Sequence, residues 1–178
     1  MTLIGLLAAA VVALGCGVGG ATGGSDSAAG GNSGTGQGDG SDDKPAAAKI
    51  GDPARDGKFE FTVTKLDCGK ASVGKDPLSE RAQGQFCLVT LDVANIGKEP
   101  QSFSDSDQKA FDADGTEFST NTTAGLYANK NADTFYKEIN PGNKITAVLV
   151  FDVPKETKLA KLELHDSFLS GGVTVELA

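Results

Sequence analysis

The sequence predicts an all-β domain, an antiparallel β-sandwich, in the C-terminal part of a 178-residue chain. Seven or so short segments alternate apolar and polar residues with the period of two that is typical of half-buried strands. Turn-forming residues separate these segments, tryptophan is absent, and a helical period is weak throughout. Short strands separated by turns favour two packed antiparallel sheets.

The first two strands are predicted by alternation alone. Phe59, Phe61 and Val63 alternate with polar residues and predict a strand at 59–64. A second strand at 87–94 has apolar side chains at every other position, Cys87, Val89, Leu91 and Val93. It is expected to end at the turn-forming residues 95–97.

Turns help to predict the later strands. Residues 110–111 and 117–118 flank Asp112-Ala113-Asp114-Gly115, which predicts a hairpin because Gly115 can adopt a positive φ. A turn at 140–143 precedes a strand at 145–153, which is apolar on both faces and therefore expected to be central, until Pro154 ends it. Further strands are predicted at Leu162 and Leu164 and at Val173, Val175 and Leu177. Residues 124–137 fit either a loop or one to two turns of helix.

The N-terminal residues are typical of a bacterial lipoprotein signal. Leu3 to Leu14 form an apolar run too short to span the membrane, for which about 20 residues are needed. Gly15 and Cys16 close that run, so we predict a signal peptide at 1–15 and a lipid on Cys16. The alternative is an ordinary secretory signal that is cut nearby. Because no Lys or Arg precedes the run, we interpret Met1 as a late start.

The predicted signal is followed by a linker and then by one domain. Residues 17–44 consist mostly of Gly, Ser, Ala, Thr and Asp, which cannot bury a core. We therefore expect a disordered linker at 16–53 and a single domain at 54–178, a usual domain size. Such a linker would reach about 35 Å and would hold the domain away from the membrane.

Charge and cysteine content narrow the possible functions. The formal net charge is −8 and the lysines are scattered, so nucleic acid is not expected as a partner. If Cys16 carries a lipid, Cys68 and Cys87 are left to pair in a compartment that permits disulfides, and two free thiols are the alternative. We expect a polar loop between these two cysteines. Two cysteines and one distant histidine do not make a zinc site.

Five segments of the predicted domain resemble a known family. They are 84–100 (GQFCLVTLDVANIGKEP), 112–118 (DADGTEF), 140–142 (NPG), 150–154 (VFDVP) and 164–175 (LHDSFLSGGVTV). Over 57–177 the chain resembles the immunoglobulin-like domain of unknown function of secreted and lipid-anchored Gram-positive proteins, actinobacterial ones included. Some members carry the label of telomeric repeat-binding factor, which does not suit an acidic, exported chain.

The resemblance implies an immunoglobulin-like β-sandwich and an extracytoplasmic location. It also implies a fold related to that of a mycobacterial immunoprotective extracellular antigen. It supplies no catalytic residues, because the family has none established.

Two groups of polar residues are candidates for a functional site. His165 lies beside Asp166 and Ser167, but neighbours in a strand alternate faces, so we expect a structural hydrogen bond and no catalytic role. Aspartates cluster at positions 105, 107, 112 and 114. Their spacing is not that of an EF-hand, so no metal is predicted, and Asp112 and Asp114 are kept as calcium candidates.

The segment with the uncertain structure offers the best candidate ligand surface. It contains Tyr127, Phe135 and Tyr136, and its amides are Asn121, Asn129, Asn131 and Asn140. Aromatic rings together with amides can form a sugar- or peptide-binding surface. The same rings can equally pack the segment onto the sandwich.

The sequence thus predicts a lipid-anchored, non-catalytic module on the extracytoplasmic face of the cell membrane, with no cofactor. We expect it to bind an envelope or extracellular protein, or a cell-wall component. The alternative is a lipoprotein that binds a small molecule, a glycan or calcium. An uncharacterised enzyme comes third, because no nucleophile–base pair is recognisable in the sequence.

Overall fold

The computed structural model describes residues 47–131 and 133–177. The predicted signal peptide, Cys16 and most of the predicted linker lie outside the described residues. Two sheets pack face to face, which confirms the predicted β-sandwich. No helix in the described ranges has the length and apolarity that crossing a membrane requires.

Eleven strands form the described sheets. The five-stranded sheet has the order β1 (Ala48–Lys49), β11 (Val173–Glu176), β10 (Leu159–Leu164), β6 (Lys109–Asp112) and β7 (Glu117–Ser119). The four-stranded sheet has the order β2 (Pro53–Asp56), β3 (Phe59–Lys75), β4 (Leu78–Asn95) and β9 (Lys144–Val153). A small third sheet pairs β5 (Gln101–Ser102) with β8 (Glu138–Ile139). All pairs are antiparallel except β1 with β11.

The core lies between the two large sheets. Alternate residues of β3, β4 and β9 face the alternate residues of β6, β10 and β11 there, as the period of two predicts. Phe59, Phe61, Phe103 and Phe135 form an aromatic cluster in this core, with neighbouring ring centroids 5.9–6.3 Å apart. Tilted and edge-on contacts at such distances favour ring packing.

The residues between Cys68 and Cys87 form a hairpin, so the expected polar loop is wrong. Pairing of β3 with β4 continues past the cysteines to Lys75 and Leu78. This outer part of the hairpin, the hairpin tip (Ser72–Arg81), is mostly exposed. Its strands therefore lack the apolar alternation by which strands are recognised in a sequence.

The prediction that 145–153 is a central strand is also wrong. β9 is the last strand of its sheet and pairs with β4. Its outer face is apolar because helix α1 (Thr122–Ala128) packs on it and forms a second apolar cluster with Val73, Phe86 and Val150. The segment of uncertain structure, 124–137, is therefore helical over 124–128, and the helix begins two residues before it. The described residues after 128 are irregular or in turns as far as β8.

The described sheets start upstream of the expected domain boundary at residue 54. Ala48 and Lys49 pair with Val175 and Glu176, and β2 begins at Pro53. These short strands have no alternation that a sequence pattern could reveal, because each contributes few buried side chains.

Candidate functional site

Cys68 and Cys87 are joined in a disulfide, as the cysteine count predicts. Cys87 lies in the core, and Cys68 is partly buried against it. The bond links neighbouring strands where the β3–β4 hairpin leaves the body of the sandwich. It therefore constrains the base of the hairpin.

The three candidate aromatic side chains do not form one surface. Phe135 is 4% exposed and packs on Phe103 with a centroid distance of 6.3 Å, so it belongs to the core. Tyr127 is half-buried on α1 and contacts the second apolar cluster, the outer apolar cluster, which contains Val73, Phe86, Ala124 and Val150. Tyr136 is 67% exposed. The predicted ligand surface is thus divided, because successive residues of the irregular segment point in different directions.

Two of the four candidate amides have structural roles. The side-chain oxygen Oδ1 of Asn121 accepts a 2.9 Å hydrogen bond from the Ala124 backbone N–H and caps α1. The Asn129 amide donates to the carbonyl of Val148 and accepts from its N–H, both at 2.8 Å. Asn129 therefore satisfies backbone groups at the edge of β9 that faces away from β4, where Thr120 also forms an isolated bridge with Phe151.

The other two amides, Asn131 and Asn140, line a polar cleft of about 430 Å³ between the irregular segment and the start of β9. Its remaining lining residues are Asp133, Thr134, Lys137, Glu138, Ile139, Asn143, Lys144, Ile145 and Thr146. Tyr136 lies in the segment that forms one wall. The polar cleft therefore brings two of the predicted amides together, but its lining contains none of the three candidate aromatic residues.

A second depression, the amphipathic groove, lies between the end of α1 and the hairpin tip. Its volume is about 800 Å³. The lining residues are Lys70, Ser72, Val73, Gly74, Lys75, Leu78, Leu88, Leu126, Tyr127, Ala128, Asn129 and Lys130. Of the candidate aromatics, Tyr127 is the one in this lining.

Gly74 allows α1 to approach the hairpin closely. Its φ is +86°, and a Cβ at this position would lie 3.0 Å from the Tyr127 Cβ and closer still to the Leu78 carbonyl oxygen. Any larger residue would push the two walls of the groove apart.

The aspartate cluster contributes to turns and to the interior. The Asp112 carboxylate accepts from the backbone N–H of Thr116 at 2.8 Å and of Asp114 at 3.0 Å, and the bond from Thr116 lowers the pKa of Asp112. Asp105 is buried, and desolvation raises its pKa despite a hydrogen bond from Thr122. The described residues hold no group of three or more His, Cys, Asp or Glu side chains arranged for a metal.

His165 has the structural hydrogen bonds that the sequence suggested. Its ring nitrogens lie 2.9 Å from the Glu163 carboxylate and 3.2 Å from the Ser170 hydroxyl. Asp166 faces elsewhere and accepts from the Lys58 N–H at 2.9 Å. Glu163 and Ser170 were missed, although Glu163 is two residues away on the same strand face and the period of two could have indicated it.

The chain is similar to known proteins. Residues 48–175 match the family model described as a domain of unknown function, DUF4352.

The chain belongs to the DUF4352 family.

Its similarity to individual proteins agrees with this assignment and confirms the resemblance found in the sequence. The uncharacterized protein YxkC of Bacillus subtilis (strain 168) is 33% identical over 114 residues, which are 60% of this chain and 63% of YxkC. The chain thus spans less than two thirds of that relative.

Solved structures show the same fold as this DUF4352 domain. The secreted protein MPT63 of Mycobacterium tuberculosis superposes with a TM-score of 0.53 and 19% identity, covering 74% of this chain and 97% of MPT63. The yjhA protein of Bacillus subtilis superposes with a TM-score of 0.53 and 16% identity, covering 74% and 99%.

Proposed function

We propose that this DUF4352 protein is a non-catalytic binding module on the extracytoplasmic face of the membrane, held there by a lipid on Cys16. The observation that supports this location is the Cys68–Cys87 disulfide, because such bonds persist in oxidising compartments and are rare in the cytosol. The apolar run before Cys16 supports export. MPT63, a secreted protein with the same fold, is consistent with it.

Binding is supported by the surface of the domain. The described surface has depressions with polar and cationic side chains in their linings. The same domain offers two open depressions, the amphipathic groove and the polar cleft. A rigid sandwich with surface depressions suits recognition of a partner.

Lipid labelling in a Gram-positive host tests the anchor. The full chain is expressed in the presence of an alkyne analogue of palmitate, beside Cys16→Ser as the control. We expect label and membrane association for the natural sequence, and neither for Cys16→Ser. Equal labelling of both proteins would refute the anchor, and maleimide reaction of Cys68 or Cys87 without prior reduction would refute the oxidised location.

The alternative of a glycan-binding lipoprotein is favoured by one observation, the polar cleft. Three amides and two hydroxyls line it beside four charged side chains, which gives a surface rich in hydrogen-bonding groups. If this is the site, soluble cell-wall fragments raise the melting temperature of the protein, because a ligand of the native state stabilises it. Asn140→Ala and Asn143→Ala, both in the cleft, would abolish the shift, whereas Lys98→Ala, outside the cleft, would leave it. An unchanged shift in all three variants would exclude the cleft.

A further inference from the structure

The amphipathic groove combines an apolar floor with cationic walls. Val73 is 7% exposed and forms part of the outer apolar cluster, and Leu88 packs against that cluster. Lys70, Lys75 and Lys130 are among the lining residues, which include no carboxylate. In a chain of net charge −8, a depression lined in this way attracts an anion with an apolar part.

We propose that the amphipathic groove binds an amphiphile with a single hydrocarbon chain and an anionic head. This inference rests on the proposed binding function and names its ligand class. The volume of about 800 Å³ falls in the range of roughly 300–1,000 Å³ that is usual for small-molecule sites. A ligand chain on this floor would also cover Leu78, which is 64% exposed.

Two of the three lysines are available for the head group. Lys70 is paired with Asp67, the nitrogen–oxygen distance being 3.1 Å. Within the described part of the chain, Lys75 and Lys130 form no salt bridge. They stand on opposite walls, Lys75 on the hairpin tip and Lys130 just after α1. An anionic head group that contacts either ammonium group would gain a charge-assisted hydrogen bond.

The groove is formed before any ligand arrives. Asn129 fixes the end of α1 to β9 through Val148. Gly74 fixes the distance between Tyr127 and the hairpin. Preformed walls lower the ordering cost of binding a flexible chain.

The edge of β3 argues against an extended peptide as the occupant. A peptide that adds a strand needs a regular edge. The pairing of β3 with β4 is irregular between Asp67 and Lys70 and again between Lys70 and Ser72. Bulges of this kind disrupt strand addition. A ligand in the groove is therefore recognised by the apolar floor and the lysines, and not by pairing with the backbone of β3.

Displacement of a fluorescent dye tests this proposal. The full chain with Cys16→Ser, which prevents a covalent lipid, is loaded with 1-anilinonaphthalene-8-sulfonate, and laurate is added below its critical micelle concentration. We expect laurate to displace the dye and dodecanol, which lacks the charge, to do so at least tenfold more weakly.

Matched variants assign the effect to the groove. Lys75→Glu with Lys130→Glu is expected to weaken laurate binding at least tenfold. Lys98→Glu with Lys155→Glu makes the same change in net charge at exposed positions outside the groove and should alter binding less than twofold. Leu78→Ser should weaken it severalfold, since that side chain is exposed and its loss leaves the core intact.

Three results would overturn the proposal that the groove binds an anionic amphiphile. They are no displacement by laurate, equal weakening by both lysine pairs, and displacement by a Glu- and Leu-rich peptide but not by laurate, which would make the occupant a polypeptide. The outcome is separable from the anchor experiment. Laurate binding without label on Cys16 would refute the lipid anchor alone, and label on Cys16 without laurate binding would refute this ligand alone.

Discussion

At the scale of single residues, three side-chain amides supply hydrogen bonds that strands would otherwise make. Asn95 donates to the carbonyls of Glu99 and Ile139 and accepts from the Gly97 N–H. Gln108 donates to Ser104 and His165 and accepts from the His165 N–H. Asn129 makes a similar set with Gly125 and Val148. Each amide satisfies backbone groups that burial would otherwise leave unpaired.

Replacing Asn129 tests the cost of losing the hydrogen bonds that one of these amides makes with the backbone. Asn129→Ala leaves the N–H and carbonyl of Val148 without their partner, so we expect the free energy of unfolding to fall by about 1–3 kcal/mol. Urea unfolding measures it. Asn131→Ala is the control, because Asn131 is exposed at the cleft and its change should stay within about 0.5 kcal/mol. Equal losses of stability in the two variants would show that the hydrogen bonds between Asn129 and Val148 contribute nothing beyond an exposed amide.

The role of these amides explains part of what the sequence could not predict. Asn129 and Asn131 are the same residue type two positions apart, yet one joins α1 to β9 and the other lines the polar cleft. Phe135 and Tyr136 are adjacent, yet one lies in the core and the other is exposed. Side-chain direction in an irregular segment follows from tertiary packing, which has no period that a sequence pattern could show.

The buried carboxyl of Asp105 predicts a pH dependence. Burial raises its pKa above the unfolded value of 3.8, so the folded state binds the proton more readily. The stabilisation from this protonation is complete below pH 3.8 and is lost as the pH rises through the folded pKa. The difference in free energy of unfolding, Asp105→Asn minus natural, should therefore increase as the pH rises from 3.8 towards neutrality.

Asp112→Asn gives the opposite slope and serves as the control. Hydrogen bonding from the Thr116 N–H lowers the Asp112 pKa below 3.8, so its contribution is present above that pH and is lost as the pH falls through the folded pKa. Urea unfolding of both variants and the natural protein over a pH series measures the slopes. A difference for Asp105→Asn that does not vary with pH would contradict the buried carboxyl.

At the scale of elements, the β3–β4 hairpin is the least predictable part of the fold. The apolar alternation identified its base, where Phe59 and Val89 face the core. The hairpin tip was not predicted because it buries few side chains. Its strands are held by backbone pairing, which leaves no alternation of apolar residues in the sequence. β9 was misplaced for the converse reason: α1 covers its outer face, and a strand covered on both faces resembles a central one.

Removing the disulfide should destabilise the hairpin base and the whole domain. Cys68 and Cys87 are 19 residues apart, for which the chain-entropy model gives about 3 kcal/mol. We expect Cys68→Ala with Cys87→Ala to lower the free energy of unfolding by about this amount. Reducing agent should lower the stability of the natural protein and leave the double variant unchanged. A reductant without effect on the natural protein would mean that the bond does not stabilise it.

At the scale of the whole molecule, the fold and the family followed from sequence because they depend on distributed patterns. The alternation at 59–63 and 87–93, and the turns at 112–115 and 140–143, all reappear in the sandwich. The start of the domain depends on few contacts and did not follow from the sequence. The composition changes near residue 44, but the first strand consists only of Ala48 and Lys49, which pair with Val175 and Glu176.

The contribution of these first residues can be measured by truncation. A protein that begins at residue 54 lacks β1 and the backbone bond of 2.8 Å from the Gly51 N–H to the Val63 carbonyl, and it leaves β11 as an unprotected edge. Each lost backbone bond costs about 0.5–1.5 kcal/mol, so we expect the free energy of unfolding to be about 1–3 kcal/mol lower than for a protein that begins at residue 47. A third protein beginning at residue 51 lacks β1 but keeps β2 and the Gly51 bond, and it should be intermediate in stability. Equal stability of all three would mean that the sandwich is complete without β1, whereas a protein from residue 54 that fails to fold would make this segment essential to it.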